Sequence, residues 1–204
     1  MRNPPSVVET ALAAPATAQM RAIAYTEFDL ANGLHVILHE DHSTPIVAVS
    51  VMYHVGSKNE EPTRRGFAHF FEHLLFEGSK NIERGEFSKL VERAGGVLNA
   101  NTTGDRTYYY EVLPSNQIEL GLWLESERML HAKVDQKGVD TQREVVKEER
   151  RQRYENQPYG GLLIEVLKRA YSVHPYQWPT IGFMEDLNTA SEADYQAIYK
   201  KFYV

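Results

Sequence analysis

The 204-residue sequence predicts an α+β fold in which a mostly antiparallel sheet is flanked by helices. Three observations predict it. Strand-like segments joined by an Asn-Gly turn open the readable part of the chain, four helical segments close it, and between them lies an apolar helical segment. Strands followed by a run of helices pack as α+β, with the helices covering one side of an antiparallel sheet.

The elements follow in order. Tyr25 to Leu30 and His35 to His39 read as strands joined by Ala31-Asn32-Gly33, where Asn-Gly supplies the positive φ angles of a tight hairpin. Ile46 to His54 alternates through Val47, Val49 and Val51 as a third strand. A helix is expected from about Thr63 to Phe76, stopped by Gly78, and a second over Glu86 to Arg93, ended by Gly95-Gly96. Val97 to Thr102 and Thr107 to Leu113 read as strands. Helices near Asn116 to His131, Asp140 to Tyr154, Gly161 to Tyr171 and Glu192 to Phe202 complete the chain, without internal repeats.

The first of these helices carries the chemistry. His69-Phe70-Phe71-Glu72-His73 sets two histidines four apart on one helical face, close enough to hold one metal ion. Glu72, three residues from His69, shares that face and can act as a base without coordinating. The order H-x-x-E-H inverts the commoner H-E-x-x-H metalloprotease motif. Gly66 to Phe76 is apolar nearly all round, the pattern of a buried helix. Two histidines and a carboxylate are costly there unless paired or metal-bound. Zinc accepts two imidazoles and one carboxylate and keeps a fourth position for water, so the pattern points to metal-assisted hydrolysis from a metal site on a buried helix.

A third ligand is expected in Thr141 to Arg150, a charged helix with one apolar stripe. Glu144, Glu148 and Glu149 are all chemically possible. Successive helical residues point about 100° apart, so Glu148 and Glu149 cannot both face one ion. Most charges of this run read as a solvated face laced with i,i+4 pairs. His54, His131 and His174 lie outside any ligand spacing. Tyr108-Tyr109-Tyr110 reads as strand packing.

With these residues in hand, the chain from about Tyr25 onward resembles the N-terminal part of the pitrilysin/insulinase family of zinc metallopeptidases, which includes mitochondrial processing peptidases. Tyr53-His54-Val55-Gly56-Ser57 before the helix and Phe76-Glu77-Gly78-Ser79 after it carry the likeness. So do Ala94 to Thr102, Asp105 to Tyr109, His174-Pro175-Tyr176 and Ile181-Gly182. The resemblance implies Glu149 as third ligand, one zinc ion per chain and Glu72 as general base to a zinc-activated water. It also implies Asn99 and Ala100 beside the scissile bond of a peptide or unfolded polypeptide added to a sheet edge. Where the family often has a second glutamate, this chain has Gln142, a neutral amide that still orients a ligand. Family members usually carry two related halves, so a second homologous domain or subunit is expected, with this chain stopping before another strand. The competing expectation is a non-catalytic peptide-binding or assembly subunit of the same fold. A closed structural zinc site is disfavoured, because such sites have four protein ligands, often cysteines.

Composition bounds the rest. Hydrophobic residues make up 42% and charged residues 25%, enough for a core in one domain. A net charge of −6, a pI of 5.8 and no basic cluster give nucleic-acid binding no electrostatic support. There is no cysteine, hence no disulfide and no thiolate metal site. No stretch approaches the apolar length of a membrane span. Residues 1–24 are expected to be a disordered leader or the remnant of a signal peptide, with Ala16-Thr17-Ala18 fitting an A-x-A cleavage site. That pattern leans toward an exported or periplasmic bacterial protein.

Overall fold

The computed structural model describes residues 22–203, which divide into two compact units separated after Thr44. The leader expected over residues 1–24 falls outside the described residues except for its last three, which are exposed and irregular.

The smaller unit is a hairpin. β1 (Thr26–Asp29) pairs antiparallel with β2 (His35–Leu38), in a register running from Thr26 opposite Leu38 to Asp29 opposite His35. Leu30 N–H donates to Leu34 O at 2.9 Å, so the loop holds three residues, and Gly33 alone has positive φ. The loop is therefore the three residues expected, Ala31-Asn32-Gly33, with glycine in its left-handed position, but Asn32 does not share the positive φ expected of it.

In the larger unit β3 (Ile46–Tyr53), β4 (Val97–Thr102) and β5 (Thr107–Pro114) form an antiparallel sheet in the order β3-β5-β4. Central β5 alternates strictly, burying Thr107, Tyr109, Glu111 and Leu113. Its other face carries Tyr108 and Tyr110, whose rings lie 5.6 Å apart. The Tyr triplet thus packs, as its pattern implies, on both faces of one strand.

The buried face is covered by α1 (Phe67–Leu74), α2 (Glu86–Arg93) and α3 (Ile118–His131), with α4 (Gln136–Arg150) packed on α1. Phe67, Phe70, Phe71 and Leu74 of α1 are buried, each contributing about 1.5–3 kcal/mol of transfer free energy. α5 (Leu162–Ala170), α6 (Met184–Thr189) and α7 (Glu192–Phe202) follow. Tyr195 of α7 stacks on Phe70 and Phe67, at 4.5 and 5.0 Å between ring centroids. Tyr203, just past α7, lies 4.5 Å from Phe71 and 4.4 Å from Tyr53.

Boundaries of α1 and α4 depart from expectation. α1 starts at Phe67 and not Thr63, because Gly66 takes a left-handed conformation (φ +88°) and Glu60 caps the helix through space. The Glu60 carboxylate accepts from the Gly66 and Ala68 N–H groups at 2.9 and 2.8 Å, and from the Trp178 indole at 3.1 Å. Gly182 (φ +72°) lies against this turn, where a Cβ would strike the Arg65 carbonyl and stand 2.5 Å from Gly66 Cα. α4 starts four residues early because Asp135 accepts the Gly138 N–H at 2.8 Å as an N-cap. It widens into a π turn at Arg151–Glu155. The six-residue α6 was too short for its periodicity to register.

A buried charge cluster braces the far end of α1. Arg128 is 2% exposed, with its guanidinium 4.3 Å from the Phe87 and Tyr109 ring centroids and 4.6 Å from Phe76. It donates to Leu75 O at 3.1 Å, to Glu125 at 3.1 and 3.2 Å, and to Glu111 at 3.4 Å.

Candidate metal centre

α1 and α4 pack so that His69, His73 and Glu149 converge. His69 and His73, one turn apart, have rings 4.8 Å apart, nearly edge to face. Their Nε2 atoms stand 3.5 and 3.3 Å from the same oxygen, Glu149 Oε2. All three ligand atoms lie within 4.8 Å of one another. Two donors each about 2.0–2.2 Å from a tetrahedral zinc would stand about 3.3–3.6 Å apart, so both nitrogen–oxygen spacings suit that ion. The donor set of two imidazoles and one carboxylate suits it equally, and leaves one position open.

Electrostatics agree with this geometry. Burial lowers the His69 pKa to about 4, helped by neighbouring His73, so its imidazole is neutral at pH 7 with a lone pair to offer. Burial alone would raise the Glu149 pKa, but the hydrogen bond with His73 and the neighbouring His69 and Arg153 outweigh it and hold it below the usual carboxylate value. Arg153, in the π turn, pairs with the other oxygen of Glu149 at 3.1 Å and aims Oε2 at the histidines. His69 Nδ1 is buried without a hydrogen-bond partner.

The alternatives on α4 turn elsewhere. Glu148 is exposed and pairs with Arg151 and Gln152, and exposed Glu144 pairs with Lys147. Two other charges on this helix are not the solvated groups that its pattern implies. Arg143 donates to the carbonyls of Leu187 and Ala190 at 3.1 and 2.6 Å, and Arg150 to that of Gly182 at 3.1 Å.

Glu72 is half-buried beside the cluster, and Thr102 Oγ1 donates to its Oε2 at 2.5 Å. Burial raises the Glu72 pKa; the Thr102 hydrogen bond and the nearby His73 partly counter it. Gln142 lies two turns before Glu149, with Oε1 3.2 Å from His73 Nδ1. Asn99 and Ala100 lie on β4, the outer strand of the sheet, with Asn99 exposed and Ala100 turned toward the core. The Ala100 N–H is taken by Asn99 Oδ1 at 2.8 Å. Gln142 Nε2 in turn donates to buried Glu77 at 2.5 Å, and sequence reasoning missed Thr102, Glu77 and Arg153 as neighbours of these residues. Only Arg153 had a signal, its i,i+4 spacing from Glu149. Among the described residues no helix is long and apolar enough to cross a membrane.

Comparison with known proteins bears on this arrangement. The chain is 37% identical over 199 residues to the zinc protease PqqE of Helicobacter pylori, an alignment covering 97% of this chain and 45% of that one. It is 28% identical over 174 residues to the mitochondrial-processing peptidase subunit beta of Blastocladiella emersonii, covering 85% of this chain and 37% of the relative. Among solved structures, a protease from Helicobacter pylori superposes with a TM-score of 0.85 at 37% identity, covering 88% of this chain and 44% of that one. The first half of the periplasmic protease PqqL from Escherichia coli gives 0.78 at 25% identity, covering 88% and 40%. Pitrilysin, at 21% identity and 0.79, shares the fold. The chain thus spans less than half the length of these relatives. Residues 35–182 match the model of the insulinase family of peptidases, family M16, and the chain belongs to that family.

Proposed function

We propose that the chain is the metal-bearing half of a zinc metalloendopeptidase, with His69, His73 and Glu149 as ligands to one zinc ion. The observation that carries this reading is the convergence of three ligand atoms of two helices beside a carboxylate, Glu72, that is itself held from a third element. A bound zinc ion supplies Lewis acidity for the peptide carbonyl and lowers the pKa of a coordinated water.

The protein's own part is positioning and proton transfer. Thr102 occupies Glu72 Oε2, which leaves Oε1 to take a proton from the attacking water and return it to the departing amine. A burial-raised pKa suits a group that must both accept and donate near neutral pH. Thr102 ends β4, and Ala100 lies two residues, about 7 Å, back along that strand. A peptide adding to the outer edge of β4 would run toward Glu72, with Asn99 and Ala100 as its neighbours. Since relatives are more than twice as long, cleavage is proposed to need a second homologous half or subunit that closes over the substrate.

Elemental analysis of the purified chain beside Glu149→Gln tests the site. About one zinc per chain, lost in the variant, is expected; a folded chain without zinc overturns the reading. Glu72→Gln should keep zinc and lose at least about two orders of magnitude in single-turnover cleavage.

A further inference from the structure

The two oxygens of Glu149 have different partners. Oε2 stands 3.5 Å from His69 Nε2 and 3.3 Å from His73 Nε2, while Oε1 pairs with the Arg153 guanidinium at 3.1 Å. Three arginines lie at this end of α4, and one of them turns to the cluster. Arg150 donates to Gly182 O and pairs with Glu155, and Arg151 pairs with Glu148. Arg153 follows one turn after Glu149, inside the π turn that the Asn156 N–H closes on Arg151 O at 2.8 Å. Among the described residues Glu149 is its one ion-pair partner.

An exposed pair of this kind adds little to stability. Its effect here is on direction. Arg153 is exposed, Glu149 half-buried and His69 buried, so the carboxylate lies between a cation on the solvent side and imidazoles on the inner side. A carboxylate can hold a metal ion through one oxygen or through both. With Oε1 engaged by the guanidinium, Oε2 alone is presented to the histidines. We propose that Arg153 is a positioning residue that keeps Glu149 a one-oxygen ligand and so keeps the fourth position of the centre open to water. This rests on the reading of His69, His73 and Glu149 as zinc ligands.

Without the guanidinium, Oε1 has no cation to hold it away from the ion. Two imidazoles and both oxygens of one carboxylate would then fill all four places of a tetrahedral site, including the one that water needs. Two substitutions separate charge from bulk. Arg153→Met keeps a long side chain and removes the cation. Arg153→Lys keeps a cation at the same i,i+4 spacing and should substitute for the arginine. Because the pair is exposed, neither change threatens the fold.

The test compares infrared spectra of the metal-free and zinc-loaded chains, whose difference isolates the carboxylate that takes up the ion, beside the zinc content of each. A carboxylate bound through one oxygen has widely separated antisymmetric and symmetric stretches, and one bound through both has them drawn together. The parent should hold about one zinc with the wide separation. Arg153→Met should keep its zinc with the separation narrowed, and Arg153→Lys should return it to the parent's value. With the second homologous half supplied, Arg153→Met should also lose about 10–100-fold in turnover, the usual scale for removing a partner of a metal ligand. If Arg153→Met keeps the parent's separation, or Arg153→Lys narrows it equally, the proposal is overturned. A folded Arg153→Met chain without zinc also overturns it, since the arginine would then be needed for binding and not for its mode. A parent chain without zinc refutes the metal centre itself, and the proposal with it, whereas unchanged spectra in zinc-loaded chains refute only the role of Arg153.

Discussion

Glu111 offers a stability test remote from the metal centre. Its side chain is 0% exposed on the inner face of β5, one oxygen has no partner, and the other reaches Arg128 only at 3.4 Å. Arg128 is already engaged by Glu125 at 3.1 and 3.2 Å, so two carboxylates share one guanidinium in the core. Burial, followed by the neighbouring Glu125, raises the Glu111 pKa from 4.5 to about 9. The folded chain therefore binds a proton at pH 7 that the unfolded chain releases. A raised folded pKa gives stability that is complete below the unfolded value and declines as pH climbs through the folded one. Between pH 4.5 and 9 the loss attributable to this group is about 1.4 kcal/mol per pH unit, or about 3 kcal/mol from pH 6 to 8. Glu111→Gln keeps the shape and removes the titration. Urea unfolding of both metal-free chains at the two pH values isolates the effect, since other groups titrate alike in each. The variant should gain on the parent by up to about 3 kcal/mol as pH rises. Parallel pH profiles would refute a buried protonated Glu111.

Further expectations concern the active carboxylate and the glycine contact. Thr102→Val removes the hydroxyl that holds Glu72 while preserving shape. With the second homologous half supplied, turnover of a fluorogenic peptide should fall about tenfold, the scale of one hydrogen bond to a charged group, with zinc content unchanged. Loss of zinc instead would assign Thr102 to the architecture of α1. Gly182→Ala forces a side chain into left-handed backbone against the Arg65–Gly66 turn. It should cost at least about 2 kcal/mol, or roughly 4–8 °C in melting temperature for a chain of this size. An unchanged melting curve would show that the turn ahead of α1 yields freely.

Much of this molecule was legible in its sequence, for reasons that the structure makes specific. β3 and β5 alternate and α1 is apolar all round, and these patterns registered because one period governs each segment. The H-x-x-E-H spacing placed both histidines because helix geometry is local. The choice among Glu144, Glu148 and Glu149 was not local. It depends on the packing of α4 against α1, and only the family resemblance singled out Glu149. Thr102, thirty residues from Glu72, had no periodic relation to announce it. The early start of α4 was missed because an aspartate cap lay outside the apolar stripe. The late start of α1 was missed because Glu60 and Gly182 cap and crowd it from elsewhere in the chain.

The packing of Tyr203 has a consequence for the order of synthesis. Its ring lies on Phe71, between the two histidines in sequence, and its hydroxyl is 3.4 Å from Thr107 Oγ1. During translation the histidines therefore leave the ribosome some 130 residues before the side chain that covers the back of their helix. A nascent chain leaves Phe70 and Phe71 without the rings of Tyr195 and Tyr203 until α7 and the residue after it emerge. The interval is one in which that apolar side of the nascent helix is open to chaperones and proteases.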